Sequence, residues 1–237
     1  MTLHERERII NQLNNKRYEE LSENFQKFIK YMFNDIRKTD LILCRKYIGK
    51  KIDFVISVNN IEKNIAFTTG DIVNVYTNRV YDFVLFLVSI NVSSKSILAL
   101  LNYHYGDGTI DGSGIEGRSY GQLLKVDYQQ HIKIVNEEFK NKELLSKVLD
   151  HVLIEENGGR NVDYFYHGDS RSGYFAHKDE VKVNIINEEN HYKHDFMRIG
   201  VMNFLPLQRG IYKNDANRHR CVLRLNLKKY IKSASKS

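Results

Sequence analysis

The stretch IDFVISVNNIEKNIAFTTGD, residues 52–71, decides how the rest of the chain is read. Ile52 to Val58 is nearly all apolar, as in a strand covered on both faces. Ile61, Ile65 and Phe67 recur at the spacing of one strand face. Between the two runs, Asn59-Asn60 makes a workable two-residue turn, because asparagine tolerates positive φ better than most residues. A β-hairpin is therefore predicted. Asp53 lies between Ile52 and Phe54, where a charge is costly unless it is paired, hydrogen-bonded or metal-bound. A pairing with Lys50 or Lys51, or a solvent-facing place at the strand start, is the plainer alternative. Glu62 and Thr68 lie on the second strand, and Asp71 follows Gly70 just beyond it.

Upstream, a helical turn over residues 3–13 is expected to break at Asn14-Asn15. A long helix follows, because Leu21, Phe25, Phe28, Ile29, Met32, Phe33 and Ile36 fall at helical spacing. Residues 41–48 read as a short strand or helix. Downstream, Thr77 or Asn78 is the expected cap of a helix carrying Val80, Phe83, Val84, Leu87 and Ile90. A shorter helix is expected over 95–101. Residues 103–121 hold six glycines, which makes that stretch a loop. Two helices follow, the first carrying Leu124, Tyr128, His131, Ile132, Val135 and Phe139, the second over 142–154. The last third reads as strands at 162–167, 173–176, 196–204 and 220–227, with a helix at 178–186. The fold class is α/β: a mixed central sheet with the hairpin at its heart, flanking helices and a β-rich C-terminal part. We expect one domain over 1–237, with an N-terminal helical segment (1–40), a core (41–155) and a β-rich basic part (156–232).

Composition sets the outer bounds. At 42% hydrophobic and 27% charged, 237 residues suit a folded chain with a sizeable core. No apolar run reaches the roughly 18 residues of a membrane span, and the charged start MTLHERERII carries no apolar signal segment. Cys44 and Cys221 lie in apolar runs and read as buried free thiols, which fits a cytoplasmic chain. Net charge is +7, and residues 213–237 account for all of it, with eight bases against the single acid Asp215. A basic segment on a neutral body is a footprint for a polyanion, or simply a solvated tail. In the last strand Cys221, Leu223, Leu225 and Leu227 alternate with Arg220, Arg224, Asn226 and Lys228. That basic face suits phosphate contact, and equally the protection of a sheet edge.

Other motifs are weaker. The glycine-rich loop lacks the G-K-[ST] of a phosphate loop. Asp107, Thr109 and Asp111 have the spacing of a calcium loop without its later glutamate. The loop reads as backbone that approaches a groove, with Tyr103, His104 and Tyr105 as reading side chains, or as a surface loop with packed aromatics at its root. His167, His177, His191 and His194 match no zinc spacing. In YFYHGDSRSGYF, residues 164–175, aromatics interleave with His167 and Arg171, either to stack on bases or as alternating core positions. No G-x-S-x-G is present.

IAFTTG (65–70), YHYGDGTIDGSG (103–114) and LQRG (207–210), together with the helix–hairpin–helix order, resemble the PD-(D/E)xK restriction-endonuclease-like superfamily, and within it a group of uncharacterised bacterial and phage proteins. The resemblance covers residues 45–230, loosely between motifs. It implies Asp53 as a Mg²⁺ ligand, with Glu62 or Asp71 as a second acid. Thr68 stands where the family has its lysine, and Ala66 where it has serine or an acid. A threonine hydroxyl cannot supply positive charge. Two functions follow as expectations: a Mg²⁺-dependent endonuclease of restriction type, or an inactive nuclease fold that binds DNA or a host protein, such as a phage inhibitor of a nucleic-acid-targeting defence system. A specificity or dimerising subunit of a restriction system is a third, with a homodimer among the expected states. Candidate nucleic-acid contacts are His104, Tyr105, Arg220, Arg224 and Lys228.

Overall fold

A computed structural model describes residues 2–114, 126–156, 158–188, 196–207 and 216–235. The expectations placed on Leu124, His191, His194, Lys213 and residues 208–210 lie outside these residues. The chain begins with α1 (Thr2–Leu13), β1 (Lys16–Arg17), α2 (Glu23–Met32), β2 (Leu41–Lys46), β3 (Phe54–Val58), β4 (Ile61–Thr68) and β5 (Val73–Arg79). Four helices follow: α3 (Val80–Ser89), α4 (Ser94–Tyr105), α5 (Val126–Glu138) and α6 (Lys142–Leu149). The last part holds β6 (Tyr164–Gly168), β7 (Gly173–His177), α7 (Lys178–Ile186), β8 (Arg198–Ile199), β9 (Met202–Pro206), β10 (Arg220–Leu225) and α8 (Leu227–Ala234). No helix among the described residues is long and apolar enough to cross a membrane. The chain divides into two compact units. One takes Met1–Val73, Leu153–Asn184 and Asn226–Ser237, and the other Asn74–Val152 and Ile185–Leu225.

The first unit is built on a six-stranded mixed sheet in the order β1-β2-β3-β4-β6-β7. The expected hairpin is its centre. Asn59 and Asn60 both take positive φ, 50° and 65°, so the turn matches the twist of its strands. The break after α1 falls where expected, with Asn15 at φ 57° and the Asn14 side chain accepting from the Cys44 amide at 3.0 Å. β4 pairs in parallel with β6, Thr68 lying opposite His167, and all other pairings are antiparallel. Ile9 and Leu13 of α1, and Phe25, Phe28 and Ile29 of α2, are buried with Phe54, Ile56, Ile65, Tyr164 and Tyr166. Strand alternation therefore turns Phe165 and His167 to the other face. There α8 packs on β6 and β7, with Lys232 over the Tyr174 ring.

The second unit carries a four-stranded sheet, β5-β10-β9-β8. Here four expectations are corrected. Thr77 and Asn78 are not a cap but belong to strand β5, and α3 begins at Val80 behind Arg79, which gives it no side-chain cap. Helix α4 runs on through Tyr103, His104 and Tyr105 and ends at Gly106, whose φ of 59° makes it a left-handed C-terminal cap. The glycine thus marks a helix end rather than the middle of a loop. The strand expected over 196–204 is a hairpin, β8 and β9, turning through Gly200 at φ 59°. The strand expected over 220–227 stops at Leu225. Asn226 then caps α8 by accepting from the Lys229 amide, so Leu227 and Lys228 are helical. Both cysteines are free and buried, with burial pushing each thiol up to about 12, which leaves them protonated and unreactive.

Candidate functional site

Asp53 stands at the mouth of β3, and its partner comes from an unexpected place. Arg6 of α1 donates from Nη1 to Oδ1 at 3.0 Å. The Phe67 amide of β4 donates to Oδ2 at 2.8 Å. The carboxylate thus ties the first helix to the end of the central hairpin. Arg6 was not singled out from sequence, although the signal is there. It falls at helical spacing with Ile9, Ile10 and Leu13, so it sits on the buried stripe of α1 rather than its wet side. Burial outweighs the Phe67 amide and the Arg6 guanidinium, so the Asp53 carboxyl lies above its usual 3.8. A raised acid favours the folded state at low pH and loses that advantage as pH rises through its folded value. Arg6→Ala is therefore expected to cost about 1–2 kcal/mol at neutral pH. The deficit shrinks on acidification, because a neutral carboxyl needs no cation. Urea titrations of both proteins at neutral and acid pH check it, and a deficit that grows toward low pH contradicts it.

The other expected acids lie elsewhere. Glu62 pairs across the hairpin with Ser57, four residues along the strand from Asp53, which is about 13 Å. Its carboxylate meets Arg45 at 2.8 Å and Arg160 at 3.4 Å on the exposed surface. The hydrogen bond from Arg45 holds it below the usual range. Glu62 therefore cannot share a metal with Asp53. The Thr68 hydroxyl accepts from the Gly70 amide at 3.2 Å, shaping the turn after β4. Asp71 accepts from Lys228 Nζ at 2.9 Å, which lowers its carboxyl, and its Oδ1 lies 3.8 Å from His167 Nε2.

Of the expected nucleic-acid contacts, His104 and Tyr105 are corrected, since both are fully buried. His104 Nε2 lies 2.9 Å from the Arg218 carbonyl, and the Tyr105 hydroxyl 2.9 Å from His219 Nδ1. They are the packed root of the loop. Arg224 is exposed on β10 and donates to Asn74 at 3.1 Å, while Arg220 is half-buried on the same strand. Lys228 belongs to the other unit, on α8.

That helix leads to the cleft of the first unit, about 760 Å³ in volume. It opens beyond the carboxyl ends of the parallel strands β4 and β6, where Thr69, His167 and Gly168 line it. Sheets with parallel strands bind ligands at that end. Arg8 and Asn24 form one wall, with Tyr174 and Lys228 on the lining as well. His167 is 5% exposed and its Nδ1 has no hydrogen-bond partner. Burial, with Lys228 second, holds its pKa below 6.5 against the pull of Asp71, so the ring is neutral at neutral pH. Gly168 must be glycine: φ is 148°, and a Cβ would fall 2.3 Å from the Ser172 carbonyl oxygen.

A divalent cation at Asp53 does not fit these residues. Both oxygens are engaged, one by a permanently charged guanidinium, and among the described residues no three His, Cys, Asp or Glu side chains gather to hold a metal.

No family model matches the chain, and no curated protein does. Among solved structures, the restriction endonuclease MspI in complex with its cognate DNA aligns with a TM-score of 0.49 at 12% identity, over 94% of this chain and 88% of that one.

Proposed function

We propose that the protein binds nucleic acid on a restriction-endonuclease-like scaffold whose Asp53 is a structural latch and not a metal-dependent cutting site. The observation that carries this reading is the double engagement of the Asp53 carboxylate by Arg6 and the Phe67 amide. The hairpin at the centre of a mixed sheet supports the scaffold, and Thr68 in the place of the family's lysine supports the loss of cutting there. Binding rests on charge. α8 buries Leu227, Tyr230, Ile231 and Ala234 and leaves Lys228, Lys229 and Lys232 at the surface, Lys228 on the lining of the cleft. Clustered lysines on one helix face supply the counterion-releasing contacts of polyanion binding.

The test has two arms. Plasmid incubated with Mg²⁺ or Mn²⁺ is expected to stay intact, and Asp53→Asn is expected to bind DNA within about twofold of the parent, since asparagine still accepts from Phe67. In salt titrations, Lys228→Ala/Lys229→Ala reduces the slope of log affinity against log salt by about 2. Metal-dependent nicking that Asp53→Asn abolishes overturns the latch, and a flat salt response removes nucleic acid.

A further inference from the structure

We infer that the cleft of the first unit takes an unpaired nucleotide, its base stacked on Tyr174 and its phosphate held by Lys228 and Lys232. This rests on the nucleic-acid reading and deepens it from a charged surface to a site with a defined ligand.

Tyr174 stands apart from the other rings of its stretch. Tyr164, Phe165 and Tyr166 are buried and Phe175 is half-buried against the core, whereas Tyr174 is 36% exposed and lines the cleft. An exposed ring on a sheet wall is a platform for a base, because every base has a π-face. The Lys232 ammonium sits 5.2 Å from the centre of that ring, so cation and platform come as one unit. Lys228 lines the same cleft. Its present partner, Asp71, is a weak competitor: the side chains are 35% and 59% exposed, and water screens such a pair. A phosphate oxygen can therefore take its place. The two acids on the wall are already engaged. Glu5 pairs with Arg8 and accepts from the Ser170 amide, and Asp169 accepts from the Arg171 and Ser172 amides. His167, nearly buried with an unpartnered Nδ1, adds a neutral polar group beside them. A volume of about 760 Å³ lies within the range of small-ligand sites, roughly 300–1,000 Å³.

The geometry selects single strands. A paired base inside a duplex is already stacked on its neighbours, so a ring set in a cleft at the ends of strands has no face to meet. An unpaired base has both faces available.

The experiment measures fluorescence anisotropy with a labelled oligothymidylate and with a duplex of equal length. The oligothymidylate is expected to bind tighter. Tyr174→Leu weakens it by about tenfold, within what loss of one stacked base costs, and leaves the duplex unchanged. Tyr174→Phe, which keeps the ring, restores binding. Thermal melting of both variants checks that the fold is intact. Equal affinity for the two probes, or equal weakening of both by Tyr174→Leu, overturns the site while salt-dependent binding survives. Absence of salt-dependent binding to either probe overturns the nucleic-acid reading itself.

Discussion

Phe28→Ala is expected to lower the stability of the first unit by about 3–5 kcal/mol. Phe28 is fully buried in α2, its ring centre 5.0 Å from that of Tyr166 and 5.1 Å from that of Phe175. It belongs to the buried cluster that also holds Phe25 and Ile29 of the same helix and Phe54 and Ile65 of the central hairpin. Rings this size cannot collapse into the space a benzyl group leaves, so the loss contains a cavity contribution as well as lost burial. The effect reaches the cleft. Tyr166 donates from its hydroxyl to the Asp169 carbonyl and accepts from Asn24, each at 2.8 Å, and that bond holds the β6–β7 turn along the cleft wall. Hydrogen exchange read on peptides from β3 and β4 assigns the loss to this unit. Exchange there that is unchanged, with a shift confined to the second unit, contradicts the packing account.

The hairpin and its neighbours were legible because their signals are local. Asn59-Asn60 and Asn14-Asn15 name turns that need positive φ, and the apolar spacing of Phe25, Phe28, Ile29 and Met32 is helical as expected, although the helix is shorter than its apolar pattern: Ser22 caps it, and Leu21, Phe33 and Ile36 lie beyond its ends. β5 was not legible. VNVYTNR has no fully buried position and its alternation breaks at Val75-Tyr76, and Thr77-Asn78 offers a cap that the next helix does not use. α8 was hidden because LKKYIKSA continues the alternation of β10 for two residues before its helical stripe becomes visible. The parallel pairing of Thr68 with His167 depends on a stretch of chain given to the other unit, and no local pattern records it. The site was legible to the same degree. An acid in an oily strand was rightly read as a charge that must be compensated. What compensates it, Arg6, comes from the far side of β1 and β2 in the chain, and only the fold brings it there. The cleft draws on five separate segments of the chain, so no local stretch of sequence records it.

Asp107→Ala is the second large effect, expected to cost the other unit about 3–5 kcal/mol. Arg218 donates from Nη2 to Asp107 Oδ2, with side chains 5% and 0% exposed. Asp107 Oδ1 meanwhile accepts from both the amide and the hydroxyl of Thr109, at 3.0 Å and 2.8 Å. One carboxylate therefore folds the loop after α4 and neutralises a guanidinium taken out of water. Alanine removes both functions at once. It also leaves the buried charge without its carboxylate, which is the expensive half of breaking such a pair. Asp107→Asn retains the Thr109 bonds and is expected to lose less. The double variant Asp107→Leu/Arg218→Met removes the charge together with its partner, so it should be less destabilised than Asp107→Ala alone. Denaturant titration of the three variants decides it. If the double variant is the least stable, the Arg218–Asp107 pair contributes net stability instead of merely compensating for its own burial.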